Sequence, residues 1–87
     1  MKYAIVIEKA KRNYSAYAPD IPGCITTGKT VEETKRLMRE AIEFHLEGMM
    51  LDGEKIPEST SRCSYIDVKL PKFNGKVSAP NRRKAQA

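Results

Sequence analysis

Three side chains in the 87-residue sequence have the chemistry to ligate a soft metal ion or to support nucleophilic catalysis: Cys24, His45 and Cys63. They are about twenty residues apart, whereas a zinc motif places two ligands within a few residues of each other. The lone histidine is not accompanied by a glycine-flanked serine of the hydrolase type. We therefore expect no metal, no cofactor and no enzymatic activity, and interpret His45 as a histidine at the core boundary.

Carboxylates offer a second kind of chemistry. Glu8, Asp20 and Asp67 fall at predicted strand ends, strands and turns, and a metal-dependent nuclease would need them to converge on one edge of a sheet. Glu8 and Asp67 also occupy positions where ordinary strands carry solvated charge. A nuclease is therefore kept as an alternative to a protein with ordinary surface charges.

The net charge of +5 is unevenly distributed along the chain. Residues 1–75 contain twelve Lys and Arg against eleven Asp and Glu, whereas residues 76–87 contain four basic residues and no acid. We predict a folded domain over residues 1–72 and a basic, disordered tail over 73–87. Phosphate contacts from this tail would come from Arg82, Arg83 and Lys84. No aromatic residue lies among them to stack on bases.

One long amphipathic helix is predicted between Thr30 and Gly53. Thr30 and Glu33 have the spacing of a capping box, and Gly53 followed by Pro57 is a typical helix end. The predicted core face contains ten residues at helical spacing: Val31, Thr34, Leu37, Met38, Ala41, Ile42, Phe44, His45, Gly48 and Met49. Leu46 and Met50 are predicted to project among the charges of the opposite face. An exposed apolar pair of this kind indicates partner contact, and packing under the following loop is the alternative.

Strands are predicted on both sides of this helix. Residues 2–9 contain an unbroken apolar run that is typical of a central strand, and residues 14–18 and 24–27 supply two more. Residues 65–70 alternate cleanly, with Ile66, Val68 and Leu70 on one face, and predict a fourth strand. The order is strand, strand, strand, helix, strand. The fold class is therefore α+β, with a mainly antiparallel sheet and one long helix packed on one face.

A series of short motifs in this order resembles the HicB family, the antitoxins of HicA–HicB toxin–antitoxin pairs. The motifs cover residues 14–17 (YSAY), 19–24 (PDIPGC), 26–30 (TTGKT), 40–46 (EAIEFHL) and 53–59 (GEKIPES). The resemblance implies a partial RNase H-like fold without nuclease activity. It also implies a small basic HicA-type mRNA interferase as the partner. Many members also carry a C-terminal DNA-binding domain. About seventeen residues follow Leu70, and we expect them to be too few and too polar to form one.

The resemblance leads to a prediction of function: an antitoxin that neutralises a HicA-type toxin by occluding its RNA-cleaving surface. Under this prediction a set of acidic and exposed apolar residues contacts the toxin, namely Asp20, Glu33, Glu40, Glu43, Leu46, Glu47 and Met50. The alternative is a nucleic-acid-binding accessory protein that acts through the basic tail. We also expect a cytoplasmic homo-oligomer, a dimer or tetramer, that does not enter a membrane, because the core is small and no apolar run is long enough to span one.

Overall fold

The structure is a computed structural model, and it describes residues 1–72. Three strands precede one helix: β1 (Val6–Lys9), β2 (Tyr14–Tyr17), β3 (Ile25–Gly28) and α1 (Val31–Leu51). The strands form an antiparallel sheet in the order β1-β2-β3, and α1 packs mainly across β3 and β2. The α+β class with one long helix on one face of the sheet is therefore confirmed.

The register of the sheet decides which side chains face the helix. Val6 pairs with Tyr17 and Tyr17 with Ile25, which forms one row across all three strands. The next row joins Ile7, Ala16 and Thr26. Successive residues of a strand point to opposite faces, and Ala16 is buried while Tyr17 and Ile25 are exposed. The second row therefore faces α1, and the first lies on the uncovered face.

The core is small and lies between β2, the turn after it and the middle of α1. Its buried hydrophobic residues are Ala16, Ala18, Ile21, Cys24 and Met38. Partly buried residues from the N-terminal segment and the helix extend it: Tyr3, Ile5, Ile7, Ala41, Ile42 and Leu46. Thr34 is the one buried polar residue in the described part of the chain, and its hydroxyl donates to the Thr30 carbonyl at 2.7 Å. A hydroxyl that is satisfied in this way costs little to bury.

Both ends of α1 follow from local sequence chemistry. The Thr30 side chain accepts the Glu33 N–H at 3.0 Å, and the Glu33 carboxylate accepts the Lys29 N–H at 2.9 Å. These contacts satisfy donors that a helix start leaves without partners. At the other end Gly53 adopts a φ of +75°, and its N–H donates to the Met50 carbonyl. A left-handed glycine just past a helix is a common C-terminal stop.

The position of β1 differs from the sequence-based prediction. The apolar run at residues 3–7 predicted a central strand, but β1 is an edge strand and β2 lies in the centre. The run is apolar for two separate reasons. Tyr3, Ile5 and Ile7 pack against the core, whereas Val6 belongs to the uncovered face of the sheet. An unbroken run therefore marked a strand with one face on the core and an apolar outer face.

The predicted fourth strand does not form in the structure. Residues 54–72 contain no helix or strand, and the apolar side chains of residues 65–70 are 71–97 % exposed. Alternation makes a strand possible, but a strand also requires a neighbouring edge to pair with. Among residues 1–72 this segment pairs with no strand edge. No helix among residues 1–72 combines the length and apolar character needed to cross a membrane.

Candidate partner-binding surface

The C-terminal half of α1 and the turn after it form an acidic segment. Residues 40–54 contain five carboxylates and no Lys or Arg: Glu40, Glu43, Glu47, Asp52 and Glu54. All five are exposed. At 100° per residue Glu40, Glu43 and Glu47 lie within about 60° of one another around the helix axis. They form one ridge on the solvent side of α1, which we call the acidic ridge.

Little within residues 1–72 neutralises this ridge. The one ion pair among these residues joins the Arg36 guanidinium to the Glu40 carboxylate at 3.4 Å, and both side chains are more than half exposed. An exposed pair at i, i+4 contributes only about 0.3–0.5 kcal/mol. Glu43 and Glu47 have no such partner among the described residues. The ridge therefore presents negative charge to solvent.

The acids of the acidic ridge also lie toward the wrong end of the helix for stability. The C-terminus of a helix has a partial negative charge, so basic residues stabilise its last turn and acidic ones do not. The last turn of α1 contains no basic residue. The helix thus carries an unfavourable charge distribution that a cationic partner would relieve.

Three large apolar side chains accompany the acidic ridge near the helix end. Phe44 is 78 % exposed, Met50 67 % and Leu51 80 %. The exposure predicted for Met50 is therefore observed. Exposed apolar groups surrounded by charge are typical of protein-binding sites. The end of α1 therefore combines both features of a protein-binding site, apolar contacts and uncompensated charge.

Three predictions for the helix faces are wrong. Phe44 and Gly48 are predicted on the core face and are exposed, whereas Leu46 is predicted among the charges and packs half-buried against the core. Phe44 lies about 120° and Leu46 about 80° around the helix from Met38, in opposite directions. Because Met38 is fully buried, Leu46 lies nearer than Phe44 to the buried side of the helix. Leu51 also belongs to the exposed group, and the sequence reading missed it.

Glu33 stands apart from the acidic ridge. Its carboxylate is occupied by the Lys29 N–H in the helix cap, and the side chain is half-buried. It lies about two turns before Glu40, in the first turn of α1. A role for Glu33 in partner binding remains a prediction, and the structure gives it a capping role.

Asp20 holds the turn after β2 to the segment that follows the helix. Its carboxylate accepts the Thr60 and Ser61 N–H groups at 2.8 and 2.9 Å, and both hydroxyls at 3.1 and 2.8 Å. The Ser61 N–H, then the Ser61 hydroxyl and the two Thr60 groups, hold the pKa of Asp20 below its usual value. Four donors leave this carboxylate little capacity for another partner. Asp20 as a partner contact remains a prediction.

The remaining candidates do not join the acidic ridge. Arg82, Arg83 and Lys84 lie outside the described residues. Within residues 1–72 no three His, Cys, Asp or Glu side chains come close enough to hold a metal ion, so Glu8, Asp20 and Asp67 do not form a nuclease-type cluster. Cys24 and Cys63 are free thiols, the first buried and the second exposed.

Comparison with known sequences gives one family. The sequence model of the HicB-like antitoxin of bacterial toxin–antitoxin systems matches residues 3–80. The match covers the sheet, the helix and the segment that follows the helix. An antitoxin family indicates a regulatory protein.

Individual relatives support the same assignment. An uncharacterised 14.9-kDa protein from the rep–hol intergenic region of Haemophilus phage HP1 is 43 % identical over 67 residues, which is 77 % of this chain and 50 % of the phage protein. A UPF0150 protein of Thermoplasma acidophilum is 37 % identical over 62 residues, 70 % of this chain and 90 % of that protein. The chain thus spans half of the phage relative and nearly all of the archaeal one. No solved structure matches the chain significantly.

Proposed function

The chain belongs to the family of HicB-like antitoxins of bacterial toxin–antitoxin systems, and we propose that it binds and neutralises a small HicA-type mRNA interferase. The single observation that carries this proposal is the acidic ridge beside exposed Phe44, Met50 and Leu51. The surface offers contacts to a protein partner and no catalytic group of its own.

Charge explains why an RNA-cleaving protein suits this surface. Proteins that bind RNA carry clustered Lys and Arg to neutralise phosphates. The same cations are attracted to a surface with several carboxylates and a single exposed ion pair, which speeds association and favours the correct partner. A protein that occupies the cationic surface of the toxin excludes the mRNA by competition. Inhibition in this form requires no chemistry from the antitoxin.

Apolar contacts supply most of the affinity, which exposed ion pairs alone do not. Exposed ion pairs contribute little to affinity, whereas a few buried aromatic and aliphatic side chains usually dominate a protein interface. Phe44 and Leu51 are seven residues apart and so lie on the same side of α1, next to the acidic ridge. We assign the affinity mainly to these two side chains and to Met50, and the choice of a basic partner to Glu43 and Glu47.

The proposal also has consequences for assembly and location. Neutralising an mRNA interferase requires the chain to act where mRNA is found, which is the cytoplasm. The small core of five buried hydrophobic residues favours self-association, and we propose a homo-oligomer. The proposed location and the proposed oligomer are independent of each other.

Co-expression with the toxin tests the proposal. We expect a small basic HicA-type protein to be encoded beside the gene for this chain, to arrest growth when expressed alone, and to be rescued by the chain. The two proteins should co-purify, and the purified chain should block RNA cleavage in proportion to the complex formed. Absence of such a neighbour, or full toxicity in the presence of the folded chain, would contradict the proposal.

Deletion of residues 76–87 separates this function from nucleic-acid binding by the basic tail. The truncated chain keeps the acidic ridge and its apolar neighbours, so it should still rescue growth and bind the toxin. If the truncated chain instead loses both rescue and binding to nucleic acid, with α1 still folded by circular dichroism, the tail carries the function. That result would favour the accessory protein that acts through Arg82, Arg83 and Lys84.

A further inference from the structure

An open apolar groove lies between the N-terminal segment and the helix. It has a volume of about 600 Å³ and is lined on one side by Tyr3 and Ile5 and on the other by Met38, Ile42 and Leu46. Charged side chains surround it: Lys2, Lys35, Arg39 and Glu43. The groove lies on the side of β1, because α1 packs mainly against β3 and β2. Nothing in residues 1–72 fills it.

The sheet is also open on the same side. β1 is an edge strand, and its outer edge has no strand partner among the described residues. An unpaired edge beside an apolar groove is a place where one more strand adds to the sheet and buries one row of its side chains under the helix. The missing element is therefore a strand with apolar residues at alternate positions.

The chain itself contains a segment with this pattern, residues 65–70, which is not paired as a strand in the structure. Ile66, Val68 and Leu70 alternate with polar residues and are 82, 71 and 78 % exposed. Along an extended strand Ile66 and Leu70 are separated by about 13 Å, at about 3.3 Å per residue. Along α1 Met38 and Leu46 are separated by about 12 Å, at 1.5 Å per residue. The apolar row of the segment thus matches the groove in length.

The residues before this segment are held beside residues 3–5, which lead into β1. The Tyr3 hydroxyl donates to the Pro57 carbonyl at 2.6 Å, and the Cys63 thiol donates to the Ile5 carbonyl at 3.6 Å. From Ser64 onward every described residue is exposed, so the chain leaves its own domain at this point. The chain after Cys63 therefore lies next to the groove but not in it.

We propose that residues 65–70 of one copy bind as a strand to the β1 edge and the groove of a second copy, and that the second copy returns the same contact. One chain carries both the segment and its groove, so a two-fold axis satisfies both copies with a single repeated interface. Ile66, Val68 and Leu70 then cover the partly buried Ile42 and Leu46 of the other copy, next to Met38, which is already buried. This contact also places Leu46 in the dimer rather than in the toxin complex.

The exchange leaves most of the proposed toxin surface accessible. The groove uses the face of α1 around Met38 and Ile42, whereas Glu40 and Glu47 lie on the far side of the helix, about 160–180° from Met38. Glu43 lies at the border, because it also lines the groove. A dimer of this kind therefore presents two acidic ridges. The exchange specifies the homo-oligomer of the proposed function and does not depend on toxin binding, so its failure would leave the toxin proposal intact.

Molar mass of the full chain in solution gives the first test. We expect twice the 9.8-kDa mass of one chain for the native protein and a single-chain mass for the double variant Ile66→Asp, Val68→Asp. The matched control Lys69→Asp adds a negative charge to the opposite face of the same segment and should remain dimeric. A monomeric native chain, or a double variant that keeps the native mass, would overturn the proposal.

Engineered cysteines then decide which copy the segment covers. In a Cys63→Ser background, Ile42→Cys and Val68→Cys should form a disulfide between chains, seen as a dimer on a non-reducing gel. Cys24 is buried and stays out of this reaction. A disulfide within one chain would show that the segment folds back on its own groove. That result, or no disulfide in a folded protein, would overturn the exchange.

Discussion

The carboxylate of Asp20 accepts the backbone N–H of Ser61 at 2.9 Å, across 41 positions of sequence. This contact and its three neighbours fasten the segment after the helix to the turn after β2. The same segment is fixed to residues 3–5 by Pro57 and Cys63. The end of the domain is therefore held by polar contacts at defined points, and the apolar residues beyond Cys63 are left exposed.

The Asp20 contact predicts a dependence of stability on pH. Donation by Ser61 and Thr60 lowers the pKa of Asp20 in the folded chain below 3.8, the value expected without these contacts. The stabilisation is therefore present above about pH 4 and is lost as the pH falls through the lowered pKa of the folded chain. Urea denaturation should show Asp20→Asn as less stable than the native chain at neutral pH, with the difference disappearing in acid.

Asp67→Asn serves as the control for Asp20, since Asp67 is an exposed aspartate of the same chain. The Thr60 and Ser61 amide proton shifts should titrate with the carboxylate in the native chain and in this control, and should not titrate in Asp20→Asn. Equal stability of Asp20→Asn and the native chain at neutral pH would show that the four hydrogen bonds make no net contribution to folding.

Gly28 marks the closest approach between β3 and the helix. A Cβ atom at this position would lie 2.5 Å from the Thr34 Oγ1 atom and 2.9 Å from the Thr34 backbone nitrogen. Gly28→Ala must therefore shift the start of α1, and we expect a loss of about 1–3 kcal/mol in the free energy of unfolding. Denaturation in urea measures it directly.

Gly48→Ala is the matched control, because Gly48 lies within α1 and a Cβ there meets no atom within 4 Å. Replacing an exposed helical glycine should stabilise the chain by up to about 1 kcal/mol. The two Gly→Ala changes are thus expected to have opposite signs. Two changes of the same sign would contradict the described packing of α1 on β3.

The two cysteines should react at very different rates. Cys24 is 5 % exposed and its burial raises the pKa of the thiol, so the reactive thiolate is scarce and shielded. Cys63 is exposed. We expect iodoacetamide to modify Cys63 in the native chain and to modify both residues in urea, as measured by mass spectrometry of the peptides. Fast labelling of native Cys24 would contradict its place in the core.

Local signals in the sequence were sufficient to predict where the helix begins and ends. Thr30, Glu33 and Gly53 gave both ends of the helix, because capping depends on residues a few positions apart. Which helical side chain lies on the sheet depends instead on how the helix is rotated, and Phe44 and Leu46 exchanged roles for that reason. Residues 65–70 had the alternation of a strand, but no local signal says whether an edge is available to pair with.

The candidate surface was predictable to a similar degree. Glu43 and Glu47 were recognised as members of an outward charged face because helical periodicity separates them from the core residues. Phe44 and Leu51 were not assigned to that surface, since an apolar residue near the border of two faces is ambiguous until the packing of the helix is known. A segment of residues 40–54 without a single Lys or Arg was the available signal.

The most direct test of the central claim is the affinity of the purified chain for the HicA-type toxin after charge reversal on the helix. Glu43→Lys with Glu47→Lys reverses the charge of the acidic ridge, and circular dichroism of the variant distinguishes loss of binding from unfolding of α1. Glu8→Lys with Glu58→Lys changes the net charge equally at exposed positions elsewhere. Calorimetry should show affinity reduced by about tenfold or more for the helix pair and by far less for the control pair. Equal affinities for the native chain and the helix variant would contradict the account.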